Sequence, residues 1–154
     1  MKLQSNKLLL VGSSGGHLLQ LLTVAQVLEE FDKAWVCFDT PDAKHFLMNE
    51  NVYWCYHPTT KNVKNMVRNL IQAVRVLIKE RPGVILSAGA GVAISYAWVG
   101  HFLGAKVVFI EAFNRVKSRS VTGRIVYPIA DLFCVQWQSM LKLYPKAKYI
   151  GILP

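Results

Sequence analysis

The chain has 154 residues, 53% of them hydrophobic and 18% charged, which is the length of one domain and enough to bury a substantial core. Eighteen Lys and Arg against nine Asp and Glu leave a formal net charge of +9, and a balance that basic calls for an anionic partner: nucleic acid, an acidic membrane surface or a phosphorylated substrate. No apolar run is long enough to cross a bilayer, because the longest apolar-rich stretch, 88–103, is broken by glycines, Ser95 and His101, and residues 1–7 lack the apolar core of a signal peptide; the expectation is a cytoplasmic protein without a transmembrane helix.

Lys7-Leu8-Leu9-Leu10-Val11 reads as a short buried strand. It runs into the turn Gly12-Ser13-Ser14-Gly15-Gly16-His17 and then into a helical spacing of Leu18, Leu21, Leu22, Ala25 and Leu28, extending to about Phe31. A second strand spans 33–38 and ends at Asp39-Thr40-Pro41. A short helix is expected over 42–49 and a third strand over 52–56. Asn62 is placed to cap the clearest helix in the chain, where Val63, Met66, Val67, Leu70, Ile71, Val74, Leu77 and Ile78 recur at three- and four-residue steps. Its polar positions carry Lys64, Arg68, Arg75 and Lys79, with Lys61 and Arg81 at its ends.

A fourth strand, 84–87, leads into a second glycine turn, Ala88-Gly89-Ala90-Gly91, and an apolar helix stopped at Gly104. The fifth strand is 106–110. A short helix over 121–129, a strand over 131–135, a last short helix over 137–144 and an extended Tyr149-Ile150-Gly151 complete the order. Strands that are continuous apolar runs, alternating with helices, point to an α/β fold: a single Rossmann-like, doubly wound parallel sheet with a helix layer on each face. Residues 1–154 are read as one domain.

The first glycine turn and the following helix start suit a diphosphate, since glycine lets the backbone come close and the first helical N–H groups lack partners. The alternative is a tight turn without a ligand. The spacing is GxxGG rather than GxGxxG, and Asp39 is the only candidate for a ribose-binding acid, so a nicotinamide dinucleotide is not favoured and no cofactor is expected. In a doubly wound sheet the turns after the first and fourth strands flank one crevice, which would bring Gly12, Ser13, Ser14, Gly15, Gly16 and Gly89 together; close helix–strand packing competes as the reason for the second turn.

Glu111 ends the fifth strand beside the same crevice and is followed by Arg115, Lys117, Arg119 and Arg124. It is a candidate general base or sugar ligand, with the cations holding phosphates; a structural ion pair is the alternative. His17 is a candidate base or phosphate donor, against a packed or capping histidine. Cys37, Cys55 and Cys134 are widely separated and make no metal-binding spacing, so buried thiols and no metal are expected. The 61–81 helix has an apolar face sufficient for core packing, and its basic residues (Lys61, Lys64, Arg68, Arg75, Lys79) suit an anionic membrane surface. Nothing resembles a nucleic-acid-binding signature.

The Gly12–Leu18 turn, Ser87-Ala88-Gly89, the block Ile110-Glu111-Ala112-Phe113-Asn114-Arg115-Val116 and the block from Gly123 through Asp131-Leu132-Phe133-Cys134-Val135-Gln136-Trp137 together resemble bacterial exopolysaccharide and capsule glycosyltransferase subunits of the PssD/CpsF type. These are similar to the membrane-anchoring subunit of the eukaryotic two-part enzyme that adds the second N-acetylglucosamine to dolichol diphosphate. The resemblance implies the N-terminal, acceptor-side half of a GT-B glycosyltransferase, with a small separate partner subunit supplying the UDP-sugar-binding half. It implies a polyprenyl-diphosphate-linked sugar acceptor at the glycine turn, roles for His17, Glu111, Asn114 and Arg115, and a partner contact at Tyr149, Ile150, Gly151, Ile152, Leu153 and Pro154. The eukaryotic relatives carry an N-terminal membrane helix that is not seen here, so attachment at the inner face of the plasma membrane would fall to the basic 61–81 helix. A non-catalytic membrane scaffold that recruits and activates the partner is the alternative.

Overall fold

Six largely apolar strands and a two-residue edge strand, Lys148–Tyr149, pair side by side, all parallel, into one sheet in a computed structural model that describes residues 5–153. The elements in chain order are β1 Lys7–Val11, α1 Gly16–Gln26, β2 Asp32–Phe38, α2 Pro41–Phe46, β3 Val52–Cys55, α3 Val63–Glu80, β4 Val84–Ser87, α4 Val92–Phe102, β5 Lys106–Ile110, α5 Val121–Val126, β6 Leu132–Val135, a 3-10 turn Gln138–Lys142 and β7 Lys148–Tyr149. The strand order is β3-β2-β1-β4-β5-β6-β7. The chain therefore moves outward from β1 to β3, returns through α3 to the other side of β1, and continues outward to β7. That reversal lies between β1 and β4, where open α/β sheets hold their ligands.

Side chains alternate across the strands, and because both faces are covered both sets are apolar. Leu8, Leu10, Trp35 and Cys37 pack with Leu18, Leu21 and Ala25 of α1 and Ala43 of α2 on one face. Leu9, Val11, Ala34, Val36, Ile85, Val107 and Phe109 pack with Ala73 and Val76 of α3, Tyr96 of α4 and Val126 of α5 on the other. The doubly wound expectation holds, and all three cysteines are buried free thiols. Burial pushes the thiols of Cys37 and Cys55 up to about 11 and about 12.

The local differences have local causes. α1 stops at Gln26 rather than near Phe31, since Val27 and Leu28 bond back to carbonyls only three residues earlier, in turn geometry. The last expected helix is a 3-10 turn, and α5 is six residues long. Asn62 caps α3 as expected, its side chain accepting from Asn65 N–H at 3.0 Å.

The large departure is α3. Its expected core-facing residues Val63, Met66, Val67, Leu70, Ile71, Val74 and Ile78 are exposed, at 39–72% of their full surface. The buried positions are Asn65, Asn69, Ala73, Val76, Leu77 and Glu80. Backbone groups of the edge strand β3 and of the segment that follows it explain the choice. Asn69 bonds both the N–H and the carbonyl of Tyr56 at 2.9 Å, Gln72 donates to the Trp54 carbonyl at 2.8 Å, and Asn65 donates to the Pro58 carbonyl at 3.0 Å. Leaving those groups buried and unpaired would cost about 1–3 kcal/mol each, comparable to the gain from burying an aliphatic side chain.

Candidate functional site

The two glycine turns meet at the reversal point. His17, on the first turn of α1, places Nδ1 2.8 Å from the carbonyl oxygen of Ala88 in the turn after β4. A carbonyl only accepts, so Nδ1 carries the proton, and in the neutral ring Nε2 is left as an open acceptor at the crevice. The ring lies against Gly89: a Cβ there would come within 2.9 Å of His17 Cε1 and 3.1 Å of Nδ1. Gly89 also has φ 120°, and its neighbour Ala90 has φ 72°, so backbone strain is concentrated where the imidazole is seated.

Across the crevice mouth, Gly15 takes φ 69° and donates its N–H to Asp42 Oδ2 at 3.1 Å. The sequence pattern does not mark Asp42 as a site residue; its place in the first turn of α2, just past the carboxyl end of β2, is the available signal. The nearby Thr40 hydroxyl and the hydrogen bond from the Gly15 backbone hold its carboxyl below the usual range. Gly12 is buried, Ser13 and Ser14 are half-buried, and Gly15 and Gly16 are exposed at the start of α1, which carries no acidic residue in its own first turn. Asp39 is paired with Lys44 at 2.7 Å.

Glu111 is in the same crevice wall but is 1% exposed. Its carboxylate forms no ion pair among the described residues. It accepts instead from Tyr144 OH at 2.8 Å, from Ser120 N–H at 3.2 Å and from its own neighbour Ala112 N–H at 3.1 Å. Gly123 makes the approach possible, since a Cβ there would collide with both Glu111 Oε2 and the Tyr144 hydroxyl. Burial, with the Glu111 carboxylate as hydrogen-bond acceptor, pushes the Tyr144 phenol well above its ordinary value. Glu111 thus clamps the loop 112–120 to α5. Trp137 and Ser139 hold the same loop by donating to the carbonyls of Phe113 and Val116. Asn114 is exposed and Arg115 half-buried on that loop, and neither Arg115, Lys117, Arg119 nor Arg124 has a carboxylate within 4.0 Å among the described residues.

A buried amide pair joins these parts. Gln136, just past β6, donates to the Glu111 carbonyl at 2.9 Å and accepts from Leu153 N–H at 2.9 Å and from Gln20 at 3.3 Å. Gln20 lies one turn beyond His17 on α1, and its own Oε1 is buried without a partner. Sequence reasoning missed both, since neither residue type marks a site unless the crevice is already drawn.

The remaining expected residues lie apart from the crevice. On α3, Lys64, Arg68, Arg75 and Lys79 are exposed, as is Lys61 just before it. On a helical wheel they fall between the exposed apolar stripe and the buried face, so α3 has three faces rather than two. Arg68 lies over the Tyr56 ring at 5.3 Å. No helix among the described residues is long and apolar enough to cross a membrane.

Near the C-terminus Tyr149, Ile150 and Ile152 are exposed, Gly151 takes φ 77° and Leu153 is half-buried; Pro154 lies outside the described residues. Beside them the α1 face of the sheet is only partly covered past β1, with Leu86, Ile110 and Cys134 buried and Val84 and Val108 half-buried. Val84, Leu86, Val108, Ile110, Cys134 and Ile150 line an apolar hollow of about 320 Å³.

The chain is 28% identical to the UDP-N-acetylglucosamine transferase subunit ALG14 of Debaryomyces hansenii, a match covering 99% of this chain and 78% of that one. It is 24% identical to the human subunit of the same name, over 96% of this chain and 83% of that one. Among solved structures it superposes on Acinetobacter baumannii MurG with a TM-score of 0.73 at 17% identity, covering 94% of this chain and 45% of MurG. The chain spans less than half of that structure, and the fold is that of one half of a GT-B protein. Residues 55–153, from the end of β3 through the cation-bearing loop to the C-terminal segment, match the model of one family, and on that match the chain belongs to the family described as Alg14-like oligosaccharide biosynthesis proteins.

Proposed function

We propose that this chain is the acceptor-side half of a two-part glycosyltransferase, in which a partner subunit holds the UDP-sugar and this chain presents a polyprenyl-diphosphate-linked sugar at a membrane surface. The observation that carries the reading is the seating of His17 between the two glycine turns, with Nδ1 on Ala88 and Nε2 open. An acceptor hydroxyl attacks the anomeric carbon of the donor sugar, its proton passes to Nε2, and the bond to UDP breaks with the electron pair leaving on the diphosphate. Gly12 to Gly16 and the α1 N-terminus receive the acceptor diphosphate, with Asn114 and Arg115 facing it from the opposite loop. Of the two candidate bases the geometry favours His17. Glu111 enters as the group that positions the Arg115 loop, because its oxygens are already engaged by Ser120, Ala112 and Tyr144.

Two surfaces support the remainder. The apolar hollow beside the exposed Tyr149, Ile150 and Ile152 suits a partner subunit, and the exposed stripe of α3 with its flanking cations suits the anionic inner face of the plasma membrane. The relatives' names point to UDP-N-acetylglucosamine as the first donor to try. The pathway we assign, exopolysaccharide or capsule assembly, rests on the residue blocks around Glu111 and Gln136 alone.

One observation favours a second reading. Asp42 already places a carboxylate on the Gly15 N–H, which suits a scaffold that recruits and enhances the partner without taking the acceptor itself. The two readings part in a transfer assay from UDP-N-acetylglucosamine to undecaprenyl-diphosphate-linked sugar. The enzyme-half reading expects activity only with both chains present, and a loss of about 100-fold or more in His17→Ala with partner binding kept. A partner fully active alone, or a fully active His17→Ala complex, overturns it and leaves the scaffold.

A further inference from the structure

At the end of the molecule away from the crevice, where β4 and β5 begin, a cleft of about 290 Å³ lies at the C-terminal ends of α3 and α4, lined by Leu77, Ile78, Arg81, Gly100, Leu103 and Ala105. Its lips are apolar and exposed: Ile78 at 57%, Leu103 at 49% and, next to it, Phe102 at 77%. Ile78 is the last member of the α3 stripe, so the cleft continues that surface. Arg81 stands at the rim as the C-cap of α3 in the left-handed conformation, φ 47°. Glycine is the usual residue there, and a side chain costs about 1 kcal/mol, so a cation is kept in place against a local penalty. Arg81 has no carboxylate within 4.0 Å among the described residues. Between residues 61 and 130 the acids are Glu80 and Glu111 alone, both buried, so the exposed surface of the α3–α5 layer carries cations and carbon without a carboxylate.

We propose that this cleft binds one acyl chain of an anionic phospholipid, with the headgroup phosphate on Arg81. The mainly apolar walls suit an acyl chain better than a free nucleotide or sugar phosphate, and their pairing with a rim guanidinium matches a lipid at the level of its phosphate. The site is separate from the acceptor crevice, which lies at the opposite ends of the same strands. A lipid held there would fix how the molecule is rotated on the bilayer, since α3 alone leaves it free to roll about its own axis. The proposal rests on the reading that α3 lies on a membrane.

Photolabelling tests it on the unmodified chain, using vesicles of phosphatidylcholine with phosphatidylglycerol whose acyl chain carries a diazirine, followed by peptide mapping. The expected result is adducts on residues 77–78 and 100–105 in addition to the α3 stripe at 63–74, with the cleft adducts falling at least threefold in Arg81→Gly while the stripe adducts persist. Arg81→Gly suits the left-handed cap, so the fold is retained. Adducts on the stripe alone overturn the cleft site and leave the membrane reading intact. No adducts and no co-sedimentation with the vesicles overturn both.

Discussion

Gly89→Ala tests whether the crevice is built around the imidazole of His17. At φ 120° an alanine is strained, and the cost of forcing a non-glycine residue into such a conformation is about 1–3 kcal/mol. The new methyl would also sit 2.9 Å from Cε1 and 3.1 Å from Nδ1 of His17, inside ordinary van der Waals contact. The ring must therefore move, and the 2.8 Å bond from Nδ1 to the Ala88 carbonyl is the contact that stretches. Taking about 2 kcal/mol in total, the melting temperature should fall by roughly 4–8 °C for a domain of this size. The second readout is the imidazole itself. In the parent, ¹⁵N correlation spectra should show the Nδ1–H tautomer for His17, and in Gly89→Ala that preference should weaken. An unchanged melting temperature together with an unchanged His17 tautomer would refute the geometry. Loss of stability without any change at the imidazole would show that the strain is backbone alone.

Two further predictions follow from groups outside the crevice. Burial of Glu80 pushes its pKa up, but hydrogen bonds from Lys7 (2.6 Å), Tyr53 and Asn51 outweigh it and bring the carboxyl to about 2 from 4.5. A depressed folded-state value stabilises above the unfolded value, so this contribution is complete above pH 4.5 and is lost as pH falls toward 2. Glu80→Gln should therefore lower unfolding free energy at pH 7 by about 1–2 kcal/mol, allowing for solvent at the rim of the network. It should also flatten the acid limb of a chemical-denaturation profile; equal pH slopes for parent and variant would contradict the assignment. On α3, Val67→Asp with Leu70→Asp should leave the melting temperature within about 2 °C, as surface changes usually do. The same pair should cut partition onto phosphatidylglycerol vesicles at least tenfold, since burying each aliphatic side chain is worth about 1.5–3 kcal/mol. A large fall in melting temperature would mean that the stripe is packed in solution, and unchanged partition would remove α3 as the membrane surface.

The order of elements, the parallel sheet and the meeting of its two glycine turns are legible in the chain's residues alone. These depend on local pattern: continuous apolar runs of strand length, glycines directly after β1 and β4, and a connection rule that leaves few topologies open. Asn62 as a cap was legible for the same reason, since capping is settled within four residues. Tertiary structure decided which side of a patterned helix is buried. Periodicity in residues 63–78 showed an amphipathic helix, but the face toward the protein is chosen by what the neighbouring backbone lacks, and Asn65, Asn69 and Gln72 supply the groups that the segment 54–58 needs. It also decided the surroundings of Glu111. Along the chain Arg115, Arg119 and Arg124 are the expected ion-pair partners, yet the carboxylate finds the hydroxyl of Tyr144, 33 residues on, and the N–H of Ser120. A buried carboxylate takes the donors that folding brings within reach, and sequence distance says little about which those are.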